Sequence, residues 1–202
     1  MSSSDINETL ANIMARRSVR MYTDQDVSDG DIMTILSAAN QAPSAHNNQS
    51  WRFVVVKGVK KGELVDLVSR RAGDFPRPSS TLLRMASRSI ASSPVTIAVI
   101  NTGELIRHGT ELFDVDKDIA YDFFRTMEIQ SSAAAVENML IAATSLGIST
   151  VWLGILFLIK DDVLDLLGEK GEFMAVVPVG YASRQSSGPT KRPLEMIVKK
   201  VE

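Results

Sequence analysis

Two short stretches carry the residues best suited to chemistry. Arg16-Arg17-Ser18-Val19-Arg20 supplies fixed positive charge, and Ala42-Pro43-Ser44-Ala45-His46-Asn47-Asn48-Gln49-Ser50-Trp51 supplies a turn-rich loop of hydroxyls and side-chain amides. Brought together by a fold, they could hold a phosphorylated ligand, because guanidinium forks and O–H or N–H donors match phosphate oxygens in charge and geometry. Each stretch alone also has a plain structural role. Arginines just past a helix cap its dipole, and Pro, Ser, Asn and Gln between two elements are ordinary turn residues.

Other chemistries lack their residues. The chain has no cysteine, so it carries no disulfide framework, thiolate nucleophile or cysteine-held iron–sulfur cluster. Its two histidines, His46 and His108, lie far apart, and zinc-ligand spacing is absent; no metal site is expected. Neither a dinucleotide-binding G-x-G-x-x-G after a strand, nor a Walker phosphate loop, nor a G-x-S-x-G nucleophile elbow occurs. The acids Glu111, Asp114, Asp116, Asp118 and Asp122 read as a solvated face. A net charge of −2 leaves no basic excess for nucleic acid.

The elements that must position these residues belong to a chain of 202 residues, 45% hydrophobic and 23% charged, which is the composition of one soluble domain with a sizeable core. The N-terminus lacks the basic and apolar regions of a signal peptide. The longest uncharged apolar run, Val151 to Ile159, is under half of the roughly 20 residues that a membrane helix needs. A cytoplasmic protein is expected, with no membrane and no nucleic acid among its partners.

Ile6, Leu10, Ile13 and Met14 fall at helical spacing and lead into the arginine cluster. Ser28 with Asp31 resembles an acidic capping box, and the stripe Ile32, Ile35, Leu36, Ala39 runs until Pro43 stops it. Trp51 to Val56 reads as a strand, Leu64, Leu67 and Val68 as a helix, and Thr81 to Ile90 as another helix. Between these helices, Arg70 to Ser80 holds Gly73, Pro76 and Pro78 and is expected to be an irregular segment that could act as a lid.

Pro94 to Ile100 reads as a buried strand, and Asn101 to Phe113 fits a mobile connection near a site as well as a plain surface loop. The longest helical pattern runs from about Asp116 to Leu146. Ser131, Ala134, Ala135, Asn138 and Ala142 put small side chains on one of its faces, and Val136, Met139, Leu140 and Ala143 make the other apolar. The small face admits close packing inside the chain or against a second subunit, and two apolar faces favour the subunit contact. Gly147 caps that helix. Ser149 to Phe157 reads as a β-rich run and Phe173 to Val179 as the last strand, its Pro178 pointing to an edge or a bulge. Helices come first and strands are scattered between them without regular βα alternation, so an α+β layered domain is expected over residues 1–202.

The two opening stretches, with the Phe53-Val54-Val55-Val56 strand, resemble the FMN-dependent nitroreductase family. Glu137-Asn138-x-Leu140-x-Ala142-Ala143, Leu146-Gly147, Thr150-x-Trp152-Leu153-Gly154, Pro178-Val179-Gly180-Tyr181 and Arg192-Pro193-Leu194-Glu195 follow in the family's order, so the resemblance covers nearly the whole chain. It implies a three-layer αβα sandwich with a mixed, mostly antiparallel sheet, and an obligate homodimer with FMN at the interface. The tail, about 183–202, would wrap the partner.

By the same resemblance, Arg16, Arg17, Ser18 and Arg20 would bind the phosphate, ribityl chain and pyrimidine edge, with Arg192 and Lys191 on the phosphate. Pro43, Ser44, Ala45, Asn47 and Gln49 would come from the other subunit, and Trp152, Leu153 and Gly154 would line the isoalloxazine through backbone N–H groups. Ser50 stands where the family usually has proline.

The activity implied is an oxidoreductase taking electrons from NADH or NADPH through FMN to a nitroaromatic, quinone or similar small acceptor. Its kinetics would be ping-pong, with one face shared by donor and acceptor. The flavin carries the redox step, and the protein binds, orients and tunes it. A cation such as Arg20 would stabilise the reduced ring. No residue is assigned a catalytic role. The alternatives are a non-catalytic FMN-binding or flavin-delivering dimer, and a flavin-modifying relative that makes a benzimidazole. The loop lacks the Gly-Ala-His-Lys arrangement of the dehalogenating iodotyrosine relatives.

Overall fold

The computed structural model describes residues 7–184 and 187–202. Seven α-helices among them are α1 (Glu8–Ala15), α2 (Asp29–Asn40), α3 (Gly58–Arg71), α4 (Ser79–Ser92), α5 (Glu104–Leu112), α6 (Lys117–Ser145) and α7 (Lys160–Leu167). Four strands, β1 (Trp51–Val56), β2 (Val95–Asn101), β3 (Ser149–Thr150) and β4 (Glu172–Gly180), form a sheet in the order β1-β2-β4-β3. Every ladder is antiparallel. The parallel component expected of a mixed sheet is reduced to one bridge, between Ser18 and Thr150.

Alternation along the central strands divides the core in two. Val95, Ile97 and Val99 of β2 join Ala175, Val177 and Val179 of β4 on the face covered by α2 and α6. Ala98 and Ile100 join Phe173 and Val176 on the face covered by α3, α4, α7 and the 3₁₀ segment Gly154–Ile159. These are the three layers of an αβα sandwich in the α+β class. The change of facing between Phe173 and Ala175 comes from a bulge: the register steps from Val99↔Ala175 to Ile100↔Phe173, leaving Met174 as an extra residue.

Several elements follow their local signals. Ser28 caps α2 by accepting from the Asp31 N–H at 3.0 Å, while its own hydroxyl donates to the Asp31 carboxylate at 2.7 Å. Lys61 closes the end of α4, its ammonium donating to the carbonyls of Ile90, Ala91 and Ser93.

Other elements correct the sequence reading. The segment expected as a mobile connection or a plain surface loop holds α5. Its Gly109 is a packing glycine, since a Cβ there would lie 2.4 Å from the Phe124 ring of α6. The β-rich run after Gly147 is a strand for only Ser149–Thr150. Beyond it the buried residues Leu153, Leu156 and Ile159 recur every third position, the period of the 3₁₀ segment they form. Pro178 lies in a central strand opposite Thr96, away from the bulge, and sits in a gap between the Thr150–Val179 pair and the Leu153–Val176 bridge. The possible lid is instead tied down. Ala72 is buried, and Arg71 holds Asp162 of α7 at 2.6 Å.

The small-residue face of α6 also finds its partners inside the chain. Asn138 donates to the Ala38 carbonyl of α2 at 3.2 Å, and Ala135 packs with Ala42 and Trp51. The opposite face lies on the sheet, so neither face calls for a second subunit. The uncovered apolar surface lies elsewhere. Leu10, Ile13 and Met14 of α1 are 39–55% exposed, and no described residue of α1 is buried; Ile6 lies outside the described residues. In the tail, Leu194, Met196, Ile197, Val198 and Val201 are 54–82% exposed.

Candidate functional site

The arginine cluster begins where α1 ends, with Arg16 as its C-cap. The chain then runs beside β3, the Val19 N–H donating to the Thr150 carbonyl at 2.9 Å. Arg16, Arg17, Ser18 and Arg20 line a cleft of about 270 Å³, completed from the tail by Gly188, Pro189 and Lys191. Four cationic side chains and a hydroxyl around one small cleft form a strongly anion-attracting surface.

The four cations are not equally free. Arg16 Nε lies 3.5 Å from Glu137 of α6. Arg17 is largely structural, its guanidinium donating to the carbonyls of Met14, Arg16 and Ser187 at 2.6–2.8 Å. Arg20 and Lys191 are exposed and make no ion pair among the described residues. Arg192 is exposed and does not line the cleft.

Gly188 and Pro189 are cleft residues that the sequence reading left in the tail without a role; the Gly-Pro pair was their signal. Gly188 has φ +69°, and a Cβ there would lie 2.8 Å from Arg17 Cδ, so glycine lets the tail close over that arginine.

The loop before β1 is held in strained backbone. His46, Asn47 and Gln49 have φ of 54°, 52° and 52°, the left-handed region that non-glycine residues avoid. The surroundings enforce this shape. The Ala45 N–H donates to the Ser131 hydroxyl of α6 at 3.1 Å, the Gln49 N–H to the Ser44 hydroxyl at 3.0 Å, and the Trp51 indole to Asn40 at 3.0 Å. Gln49 Nε2 reaches the Asn47 side chain at 3.2 Å. Ser44, Ala45, Asn47 and Gln49 thus form one rigid polar turn following Pro43. Ser131, which anchors it, was read from sequence only as a small helix residue.

Trp152 is half-buried and Gly154 is exposed, at the opening of the 3₁₀ segment. A Cβ on Gly154 would meet only the Trp152 indole, at 3.8 Å, so the space above it is open. Leu153 departs from expectation. Its side chain lies in the core and its N–H donates to the Val176 carbonyl at 2.9 Å, which removes it as a donor to a ligand. Gly154 remains the position at which backbone meets solvent.

The two polar groups occupy opposite corners of the sheet. The loop enters β1 at Trp51, opposite Asn101, which pairs with Glu172 at the start of β4; the arginines run beside Thr150, which pairs with Val179 near the end of β4. Across the sheet these corners lie seven residues along β4 and three strand spacings apart, but both groups also reach α6, the Ala45 N–H at Ser131 and Arg16 at Glu137, positions about 9 Å apart along that helix. The two groups face different corners of one chain, and a symmetric pair of chains would set the loop of one beside the arginines of the other.

Among the described residues no group of three or more His, Cys, Asp or Glu could hold a metal, and no helix is long and apolar enough to cross a membrane. A model of the Nitroreductase family matches residues 13–181. A protein of Archaeoglobus fulgidus provisionally named as an NADH dehydrogenase/NAD(P)H nitroreductase is 33% identical over 150 residues, 74% of this chain and 69% of the relative.

Similar solved structures that cover 98% of the chain include two that are 27% identical to it. A provisionally named nitroreductase from Desulfovibrio desulfuricans, in complex with FMN, is 27% identical with a TM-score of 0.73, matched over 98% of its length. A BluB-like flavoprotein from Clostridium difficile is 27% identical with a TM-score of 0.75, matched over its whole length.

Proposed function

This chain belongs to the nitroreductase family, and from that premise we propose that it is an FMN-dependent oxidoreductase working as a homodimer. NADH or NADPH would be the electron donor, and a small electron-poor molecule such as a nitroaromatic or quinone the acceptor, in ping-pong fashion. The observation that carries the reading is the pair of complementary half-sites at opposite corners of one sheet.

The residues present fit the cofactor. The cleft of Arg16, Arg17, Ser18, Arg20 and Lys191 offers charge-assisted donors to a phosphate, and its two least committed cations are Arg20 and Lys191. Arg17 contributes by holding Ser187 and the tail over that cleft. From the partner, Pro43, Ser44, Ala45, Asn47 and Gln49 present a turn whose shape is set before any ligand arrives, so little ordering remains to be done on binding. Trp152 and Gly154 border the open space at the edge of the sheet. Arg192 is placed to join only if the tail shifts on a partner. Bound FMN supplies the two-electron redox chemistry; the chain's own residues bind and orient it.

The uncovered apolar surfaces support pairing. The α1 stripe and the apolar tail are the parts of the chain that need cover, and the D. desulfuricans structure shows that a protein of this fold holds FMN. Phe113 and Phe123, both 46% exposed and each packed edge-on to Phe124 at 5.1 Å, lie at the α5–α6 end against which Ala45 packs; they offer an apolar surface to an acceptor.

The test is an anaerobic visible spectrum of the purified protein before and after NADH or NADPH. A yellow protein bleached by either nucleotide is the expected result. A yellow protein that stays oxidised reduces the reading to a flavin-binding or flavin-delivering dimer, and a colourless one that takes up no FMN overturns it. The likeness to a BluB-like flavoprotein makes the flavin-modifying alternative worth the same spectrum on admitting air, where loss of the flavin itself would reveal it.

A further inference from the structure

A second cleft, of about 600 Å³, opens beyond the end of the sheet between α5, α6 and the start of α7, and none of the residues assigned to FMN lines it. Its walls carry Arg107, Arg125, Lys160 and Lys170 against the two carboxyls of Glu128 and Glu172. Arg125 is committed to Glu172. Arg107 is exposed and spends one N–H on the Thr102 carbonyl at 3.1 Å; Lys170 is exposed and makes no ion pair among the described residues. The cleft therefore retains unspent positive charge. Tyr121 and Phe157, 52% and 48% exposed, supply aromatic surface.

The inner wall is polar and incompletely paired. Glu128 has no solvent exposure; its Oε1 accepts from the Leu105 N–H at 2.8 Å, while its Oε2 has no hydrogen-bond partner among the described residues. Glu172 Oε2 and Thr102 Oγ1, also lining the cleft, are buried and unpartnered in the same sense. Native interiors leave few polar atoms in this condition, and three in one cleft mark a place built to meet a polar ligand. Gly171, also on this wall, is fixed by the sheet, because it brings β4 in beside Asn101 of β2. Its φ is +126° and a Cβ would lie 2.1 Å from the Asn101 carbonyl oxygen, so this wall admits no side chain.

We propose that this cleft is a second binding site, for a small aromatic carboxylate. Arg107 and Lys170 meet its carboxylate, and Tyr121 and Phe157 flank its ring. Burial pushes the Glu128 carboxyl above the usual carboxylate range, which lessens the negative charge behind the cleft wall. A phosphate dianion fits less well, because it would leave the aromatic surface of Tyr121 and Phe157 unused. The volume lies within the range of small-molecule sites.

The test titrates full-length protein, as purified, into 4-fluorobenzoate followed by ¹⁹F NMR, with flavin absorbance recorded on every sample. Saturable binding is expected. It should weaken at least tenfold in the double variant Arg107→Glu, Lys170→Glu, whose exposed positions leave the core intact, with flavin content unchanged. 4-Fluorobenzyl alcohol should not bind, and inorganic phosphate at matched ionic strength should not displace the probe. Absence of saturable binding, undiminished binding in the double variant, equal displacement by phosphate, or loss of flavin together with the probe would each overturn the proposal. Only the last would implicate the flavin site itself.

Discussion

At the scale of single residues, the site divides into side chains with free donors and side chains spent on the fold. Arg17 donates to three backbone carbonyls, whereas Arg20 makes no ion pair among the described residues. Arg20→Ala is therefore expected to weaken FMN binding by about 10- to 100-fold, the worth of one charge-assisted hydrogen bond, with thermal stability nearly unchanged. Flavin fluorescence titration measures the first and a melting curve the second.

Glu128 carries a pH signature. Burial raises its carboxyl in the folded state, while the hydrogen bond from the Leu105 N–H opposes the shift. The folded protein then holds a proton that the unfolded chain releases, so this group's contribution is fully present below the unfolded carboxylate pKa and is lost as pH rises through the folded value. Glu128→Gln, which keeps an acceptor for the Leu105 N–H, is expected to gain stability relative to the parent as pH rises through that window. Urea unfolding between pH 4 and 8 reads the difference, and a difference flat in pH would refute the assignment.

At the scale of elements, helix contacts and the polar turn set the geometry. Gly109→Ala drives a methyl into the Phe124 ring and should separate α5 from α6, costing about 2–3 kcal/mol in a denaturant titration. The loop before β1 stores strain at three consecutive-region residues, His46, Asn47 and Gln49. Gln49→Gly accommodates the left-handed backbone, so stability should hold or rise by up to about 1 kcal/mol, while flavin binding weakens about 2- to 10-fold through loss of the side-chain amide. Opposite signs for stability and binding would identify the strain as a cost of the site; a variant that loses both would show that Gln49 serves the fold.

At the scale of the whole molecule, the separation of the half-sites makes a quantitative prediction. One variant carries Arg20→Glu with an intact loop; another carries Ser44→Ala and Asn47→Ala with intact arginines. If each site takes its arginines from one subunit and its loop from the other, a refolded equimolar mixture contains half hybrid dimers, each with one restored site of two. Roughly a quarter of the parent's flavin sites should return. No recovery beyond the two variants alone would mean that each chain builds its site by itself. Sedimentation of the parent should give a dimer, and deleting residues 187–202 should weaken it by removing the exposed apolar side chains of Leu194, Met196, Ile197, Val198 and Val201.

Sequence alone determined what local chemistry controls. The Ser28 cap, the limits of β1, the burial of β2 and the end of α1 at Arg16 depend on neighbours a few residues away, and each was legible. The polar types at residues 16–20 and 43–49 were legible for the same reason, since charge and donors belong to the residue itself. Tertiary structure decided what those residues are free to do. The Leu153 N–H is spent because β4 passes beside it, Gly109 is a packing residue because Phe124 lies against it, and the small face of α6 is filled because α2 and the loop arrive there first. Contacts between residues distant in sequence set these outcomes. That physical cause also places the arginine cluster and the polar loop at different corners of the sheet, a placement that no spacing along the chain encodes.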